Sequence, residues 1–339
     1  NKRKCVVNFI VRQETGRKLR ECLLPVFLFL PLYRLYKKEK MQVPEFLKAG
    51  DKVMVISPSG KIEEEIVKKG INVLSDWGLN PILGMACLSR RGRFAGDDNV
   101  RFSDLKSALL SENIKAIFCS RGGYGAVHLL EKIPDRMISS LPKWLIGYSD
   151  ITLLHAAFRK AGVISLHAPM MKHLAEEKDD ISSNMLRDIL FGNFAGYTVG
   201  KHMLNRQGNA CGALFGGNLS VLLGLRGTPY DQIKKGDILF VEDIGERPYH
   251  LERMFYNLKL GGVLKSLSGL IVGQFTDYEE DLSIGMTVYE MISGMVKDYD
   301  YPVCFNFPVG HVKNNWPMLE GMKMNLVVTE RDVVLKPGK

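Results

Sequence analysis

The sequence predicts an α/β protein of two domains, and three observations carry that prediction. The chain has 339 residues, which is enough for two hydrophobic cores. Its composition, 46% hydrophobic and 24% charged, is that of an ordinary globular protein. From residue 51 onward, short apolar runs alternate with amphipathic stretches, as when strands and helices alternate around a mainly parallel sheet covered on both faces.

The elements follow in order. Val53-Met54-Val55-Ile56 reads as a buried strand that ends at Ser57-Pro58-Ser59-Gly60. Residues 62–76 place Ile62, Ile66, Ile71, Val73 and Leu74 among charges, a helical spacing. Further strands are expected at 115–119 and 143–147, with helices at 99–111, 124–132 and 150–161. These belong to an N-terminal, Rossmann-like domain over residues 41–172, with catalytic groups expected at the carboxyl ends of its strands. Residues 173–208 are polar and weakly patterned apart from a helix near 182–191, and read as the inter-domain connection. A C-terminal mixed α/β domain, 209–339, restarts at Gly212. It carries strands near 237–241, 268–272 and 323–336 and helices near 218–225, 248–260 and 284–297.

Charge excludes one class of function. The net charge of +9 suggests nucleic acid or an anionic surface, but residues 1–40 hold 11 Lys/Arg against 3 Asp/Glu, and the remainder carries only +1. A nearly neutral body has no footprint for a phosphate backbone. The apolar run at 22–33 follows a basic stretch, yet it is too short to span a bilayer and contains Pro25 and Pro31. We expect residues 1–40 to lie outside the functional fold, with a membrane-surface anchor as the rival reading and no stable membrane insertion. Six scattered cysteines without a C-x-x-C pair suggest neither a zinc site nor a disulfide framework, which fits a cytoplasmic location.

Two loops could carry chemistry. In Leu145-Ile146-Gly147-Tyr148-Ser149-Asp150 a buried strand runs into a tight turn and a helix begins at once. A serine there presents its hydroxyl at the tip of an elbow, with the following backbone N–H groups aimed at the same space. The segment alone favours a plainer role, with Ser149 or Asp150 capping the helix. Ser120-Arg121-Gly122-Gly123-Tyr124-Gly125 follows the second strand, and its glycines allow close backbone approach to a ligand. A plain turn is the alternative, and no P-loop register is present. A nucleophilic serine needs a base and an orienting acid. Of seven histidines, His155 and His128 sit in helical stretches and read as packing. His311, in a Gly/Pro-bounded loop, and His167, after a short strand, are the candidates. Glu242 follows Ile238-Leu239-Phe240-Val241, and is as plausible as a paired structural carboxylate as it is in a site.

Together these segments resemble the muramoyltetrapeptide (LD-)carboxypeptidase family of serine peptidases. The resemblance runs from about residue 45 to 335 and rests on ordered motifs. They are Ile-Ser-Pro-Ser-Gly at 56–60, Arg-Phe-Ala-Gly at 93–96 with Arg101 and Asp104-Leu105, and Arg-Gly-Gly-Tyr-Gly at 121–125. Gly-Tyr-Ser-Asp at 147–150, His-Ala-Pro-Met at 167–170 and Gly-Gly-Asn-Leu at 216–219 follow. Val-Glu-Asp at 241–243 with Tyr249 and Leu251-Glu252-Arg253, then Gly-His at 310–311, complete the set. The resemblance implies a Ser149–His311–Glu242 triad in a crevice between the domains. Backbone N–H groups of Asp150 and Gly123 would form an oxyanion hole, with Gly122 as the fallback donor.

It further implies hydrolysis of the bond between a diamino acid's L-centre and terminal D-alanine in murein tetrapeptides, as in peptidoglycan recycling. No metal or organic cofactor is implied. A homodimer is a family-level expectation, and nucleic acid is not an expected partner. Arg121 and Arg253 are candidates for the substrate carboxylate, while Asn218 would line the cleft without an assigned catalytic role. Two rivals stand beside this reading. A same-family amidase acting on peptide-nucleotide antibiotics would want an aromatic platform, for which Trp316 is the candidate. A non-catalytic module that binds a peptide or nucleotide would keep the elbow and glycines, but has no need of all three triad residues.

Overall fold

The computed structural model describes residues 41–338, so the expectation for residues 1–40 lies outside the described residues. In chain order the strands are β1 (Lys52–Ile56), β2 (Asn80–Leu83), β3 (Ile114–Cys119), β4 (Trp144–Gly147), β5 (Ser165–His167), β6 (Tyr197–Gly200) and β7 (Gly208–Asn218). They continue as β8 (Ile238–Ile244), β9 (Gly269–Thr276), β10 (Val303–Cys304), β11 (Met318–Glu320), β12 (Lys323–Val328) and β13 (Asp332–Pro337).

The first sheet has the order β11-β5-β4-β3-β1-β2, in which β1 to β5 are mutually parallel and only β11 is antiparallel. The apolar runs of β1, β3 and β4 suit burial on both faces. Strand parity divides them. Met54, Ile56, Ile117 and Leu145 pack with helices Asp98–Leu110 and Thr152–Lys160. Val53, Val55, Phe118 and Ile146 pack with helices Glu64–Asp76 and Ile181–Leu190 on the other face. Strand order reverses between β1 and β3, and in such sheets the crevice outside the carboxyl ends at the reversal receives ligands. The loops after β1, β3 and β4 therefore share the end where a site is expected.

The second sheet has the order β10-β9-β8-β7-β12-β13-β6, parallel from β7 to β10 and antiparallel through β12, β13 and β6. Leu239 and Val241 of β8 face helices Pro248–Leu260 and Val288–Val296. Ile238 and Phe240 face the opposite way, toward Met318 and Met324. Among the described residues no helix is long and apolar enough to cross a membrane.

Four details depart from the sequence expectation. The polar stretch 173–208 holds, besides the helix expected there (Ile181–Leu190), the edge strand β6 and the first residue of β7. Residues 323–336 form a hairpin rather than one strand, because Thr329 and Asp332 close a turn between β12 and β13. The helix expected from 284 begins only at Val288, where Thr287 and Glu290 form a reciprocal capping box. Finally β11, from the carboxyl-terminal half, returns to the first sheet beside β5, so the second domain contributes one strand to the sheet of the first.

Candidate active site

All four residues of β4 are buried, and the chain turns sharply behind Gly147. Ser149 has φ 65°, a left-handed conformation that a side chain with a Cβ adopts at a cost of about 1–3 kcal/mol. The capping alternative does not hold. Helix Thr152–Lys160 has no side-chain cap, and the Asp150 carboxylate instead accepts the Ala126 N–H at 2.9 Å. His155 steadies the strand end from behind. Its Nε2–H donates to the Gly147 carbonyl at 2.8 Å, which leaves Nδ1 to accept from Ser165 Oγ at 2.8 Å. Burial lowers its pKa to about 4, so it stays neutral and acts as packing, in line with the sequence reading.

The glycine loop lies directly against the serine. A Cβ on Gly122 would sit 2.8 Å from Ser149 Cβ, 2.9 Å from Ser149 Oγ and 3.4 Å from Asp150 N. Only glycine lets these two backbones come so close. The Gly122 carbonyl accepts the Gly60 N–H at 3.2 Å, which ties the loop after β1 to the loop after β3. Gly123 follows with φ 114°. Arg121 is exposed beside them and donates to the Lys61 carbonyl at 3.2 Å.

The candidate acid and base belong to the second domain, Glu242 on β8 and His311 in the loop after β10. Glu242 shares strand parity with Phe240, whose ring meets His167 of β5 edge-on at 5.2 Å between centroids. Parity thus aims a carboxylate toward the first domain, while Asp243 points to the helix side and accepts the Ser220 N–H at 2.8 Å. Glu242 is fully buried, and its Oε2 accepts from His311 Nδ1 at 2.7 Å. Gly310 makes the approach feasible, because a Cβ there would lie 2.9 Å from Glu242 Cβ. The Gly310 N–H is held by Asn315 Oδ1 at 2.9 Å. Burial disfavours the His311 imidazolium, but the Glu242 hydrogen bond and charge, helped by Asp243 and Asp277, outweigh it and raise the pKa.

Tyr148, the residue before Ser149, links the serine elbow to His311. The Tyr148 ring packs edge-on against the His311 imidazole at 4.9 Å and lies 5.6 Å from His167. No hydrogen bond joins Ser149 to His311 among the described residues, and such contacts often close only when substrate is bound. Two links fix the domains against each other at this point. The Asn218 N–H donates to Thr152 Oγ1 at 3.2 Å. Arg159 Nη2 donates to both carboxylate oxygens of Asp237 at 2.7 and 2.8 Å, and that pair is buried. Thr152 and Arg159 belong to the helix that begins just after Ser149.

The remaining candidates fall at different distances from this centre. Asn218 pairs in register with Glu242 across β7 and β8, but its side chain is occupied in capping the next helix and in bonding Asp243. The Arg253 guanidinium lies over the Tyr249 ring at 5.1 Å. Trp316 is stacked on Tyr197 and edge-on to Phe307, so its ring serves packing. His167 is fully buried against the Tyr148 and Phe240 rings, and that lack of exposure removes it as a base open to substrate. Sequence reasoning did not single out Tyr148, Thr152 or Asn315. Tyr148 stood inside the Gly-Tyr-Ser-Asp motif, but nothing in its spacing indicated a partner 163 residues away. Beyond Glu242, the ends of β8 and β9 border a cleft of about 700 Å³ lined by Glu246, Asp277, Glu279, Glu280 and Asp281, with Arg247 as the one cation of its lining among the described residues.

Comparison with known proteins agrees with this architecture. Residues 53–168 match the LD-carboxypeptidase N-terminal domain and residues 211–326 the LD-carboxypeptidase C-terminal domain. The Bacillus subtilis protein named "Probable murein peptide carboxypeptidase" is 30% identical over 87% of this chain and 94% of its own length. The murein tetrapeptide carboxypeptidase of Pseudomonas aeruginosa is 28% identical over 80% of this chain and 94% of its own. Among solved structures, muramoyltetrapeptide carboxypeptidase from Oxalobacter formigenes superposes with a TM-score of 0.78 at 27% identity, covering 85% of this chain and 99% of that one. The microcin C7 self-immunity protein MccF, solved with aspartyl sulfamoyl adenosine, shares the fold at 22% identity and TM-score 0.78, over 88% and 99% of the two chains. With both of its domains matched in order, the chain belongs to the LD-carboxypeptidase family of serine peptidases.

Proposed function

We propose that this chain is a serine LD-carboxypeptidase that removes terminal D-alanine from murein tetrapeptides, with Ser149 as nucleophile. In this reading Ser149 Oγ attacks the scissile carbonyl while His311 Nε2 takes its proton. Glu242 holds the Nδ1–H and stabilises the imidazolium. The oxyanion would be met by the N–H groups of Asp150 and Gly123, with Gly122 as the alternative second donor. His311 then gives its proton to the departing amine of D-alanine, and water repeats the sequence on the acyl-enzyme. Arg121 is the better placed of the two arginines for the terminal carboxylate, because it is exposed next to Gly122, which lies against Ser149.

The observation that carries the reading is the Glu242–His311 hydrogen bond, buried at its acid end and lying against Tyr148, the residue before a strained serine. The charge of the neighbouring cleft supports a peptide bearing an ammonium group. Five carboxylates against one arginine favour a diamino acid and oppose the phosphate of a peptide-nucleotide. The packing of Trp316 on Tyr197 and Phe307 gives the amidase alternative less support from that ring.

The test is mass spectrometry of murein tetrapeptide incubated with the full chain and with Ser149→Ala. Loss of one alanine with the wild type alone is the expected result. If neither protein cuts tetrapeptide while the wild type cleaves an aminoacyl-nucleotide analogue, the amidase reading replaces this one. If neither cuts either substrate and no serine-reactive phosphonate labels Ser149, the chain is a binding module.

A further inference from the structure

We infer that Arg101 is a positioning residue for the oxyanion hole, an inference that rests on the proposed role of Ser149. Arg101 lies in helix Asp98–Leu110 and is fully buried. A buried guanidinium is costly, and a well-packed apolar side chain often serves stability as well or better. What this cation does that no apolar residue could is hold two loops at once. Its Nη1 donates to the Pro58 carbonyl at 2.5 Å, in the loop after β1, and to the Gly125 carbonyl at 2.8 Å, in the loop after β3. Its Nη2 is anchored by Asp98 and lies 3.3 Å from His128 Nδ1, and the guanidinium covers the Phe94 ring at 5.3 Å. Gly125 has φ 130°, and a Cβ there would meet Nη1 at 2.8 Å, so the loop is shaped to receive the arginine.

Two chains of contacts lead from this guanidinium to the nucleophile. Along the first, Pro58 is two residues from Gly60, whose N–H donates to the Gly122 carbonyl, and Gly122 lies against Ser149. Along the second, Gly125 precedes Ala126, whose N–H donates to the Asp150 carboxylate at 2.9 Å. The two routes end on either side of Ser149, at the segments whose backbone N–H groups are the proposed oxyanion donors. Arg101 touches no reacting atom. It acts by fixing the spacing between the glycine loop and the serine elbow, and a displacement of about 1 Å there is worth roughly 10²-fold in rate.

The experiment compares the wild-type full chain with Arg101→Met and Arg101→Lys. It uses steady-state hydrolysis of murein tetrapeptide, phosphonate titration of reactive Ser149, and thermal unfolding. For Arg101→Met the expected result is a loss of about 10²-fold in kcat per titrated site, with KM changed less than threefold. Arg101→Lys, which keeps a cation able to reach one carbonyl, recovers part of that loss. A merely structural role would lower the melting temperature and the titrated fraction but leave kcat per titrated site unchanged, and that result overturns the inference. If Arg101→Met does not fold, Asp98→Asn loosens the Nη2 anchor, together with the contact of the same half-exposed carboxylate to His128, and leaves the Nη1 bonds to Pro58 and Gly125 in place. A several-fold fall in kcat per site is then expected, and an unchanged kcat overturns the inference. A wild type that neither releases alanine nor takes phosphonate overturns the Ser149 reading and this inference with it. Wild-type activity beside unaffected variants overturns this inference alone.

Discussion

Replacing Gly122 with alanine tests the proposed geometry by adding a single methyl group. The backbone at Gly122 lies outside the positive-φ region, so alanine meets no conformational penalty there, unlike at Gly123 with φ 114°. The new Cβ would stand 2.8 Å from Ser149 Cβ and 2.9 Å from Oγ. Carbon atoms prefer separations of about 3.5–4.0 Å, so the loop and the elbow must part by roughly 0.7 Å. Crowding of this kind costs about 1–3 kcal/mol in stability. A shift of that size at the nucleophile corresponds to somewhat under 10²-fold in kcat, since about 1 Å of misplacement is worth about that factor. The assay is D-alanine release from tetrapeptide under saturating conditions, normalised to Ser149 labelling, beside a melting curve. Gly294→Ala serves as the control, because Gly294 lies in helix Val288–Val296 with nothing within 4 Å of its added Cβ. It should leave kcat unchanged. A Gly122→Ala protein with wild-type kcat and wild-type labelling rate would show that the glycine loop does not shape the nucleophile's surroundings.

Two further outcomes are expected. Glu242→Gln should lower kcat by about 10³–10⁴-fold through loss of the correct tautomer and of charge on Nδ1. Its pH profile gives the sign: His311 must be neutral to act, so the wild-type acid limb lies above the ordinary histidine value of about 6.5. Removing the Glu242 charge leaves burial opposed chiefly by the more distant Asp243 and Asp277 and moves the limb to lower pH, and a limb that stays in place would detach Glu242 from His311. Arg159→Met should cost about 3–5 kcal/mol by urea unfolding, because it leaves Asp237 buried and unpaired between the domains. Arg159→Met/Asp237→Leu should recover most of that loss, and a single variant costing under about 1 kcal/mol would refute the latch.

Much of the first sheet was legible in the sequence because its strands are buried on both faces and read as unbroken apolar runs. β1, β3 and β4 announce themselves this way, and the loops after them contain the glycines and the serine of the candidate site. The elements that escaped are those whose pattern is weak for a physical reason. β2 and β6 are edge strands with alternating or partial exposure, and β11 has three residues and pairs with a sheet assembled 150 positions earlier. The turn between β12 and β13 is made by Thr329 and Asp332 without the glycine or proline that would have flagged it.

For the site, the one-dimensional chain determined which residue types were available: a serine after a buried strand, a glycine-rich loop, an acid closing an apolar strand, and a histidine in a bounded loop. It could not decide among the structural and functional readings of each. Glu242 was equally plausible as a paired structural carboxylate or a site residue, and its hydrogen bond from His311 exists only once strand parity and Gly310 bring the two together. Asp150 read as a helix cap until the fold carried Ala126 to it across the neighbouring loop. Arg101 belonged to a motif, but its bonds to Pro58 and Gly125 exist only once β1 and β3 lie side by side. Local patterning records which face of an element is buried. Directional contacts between residues far apart in the chain depend on strand order and on the docking of the two sheets, which only the tertiary structure decides.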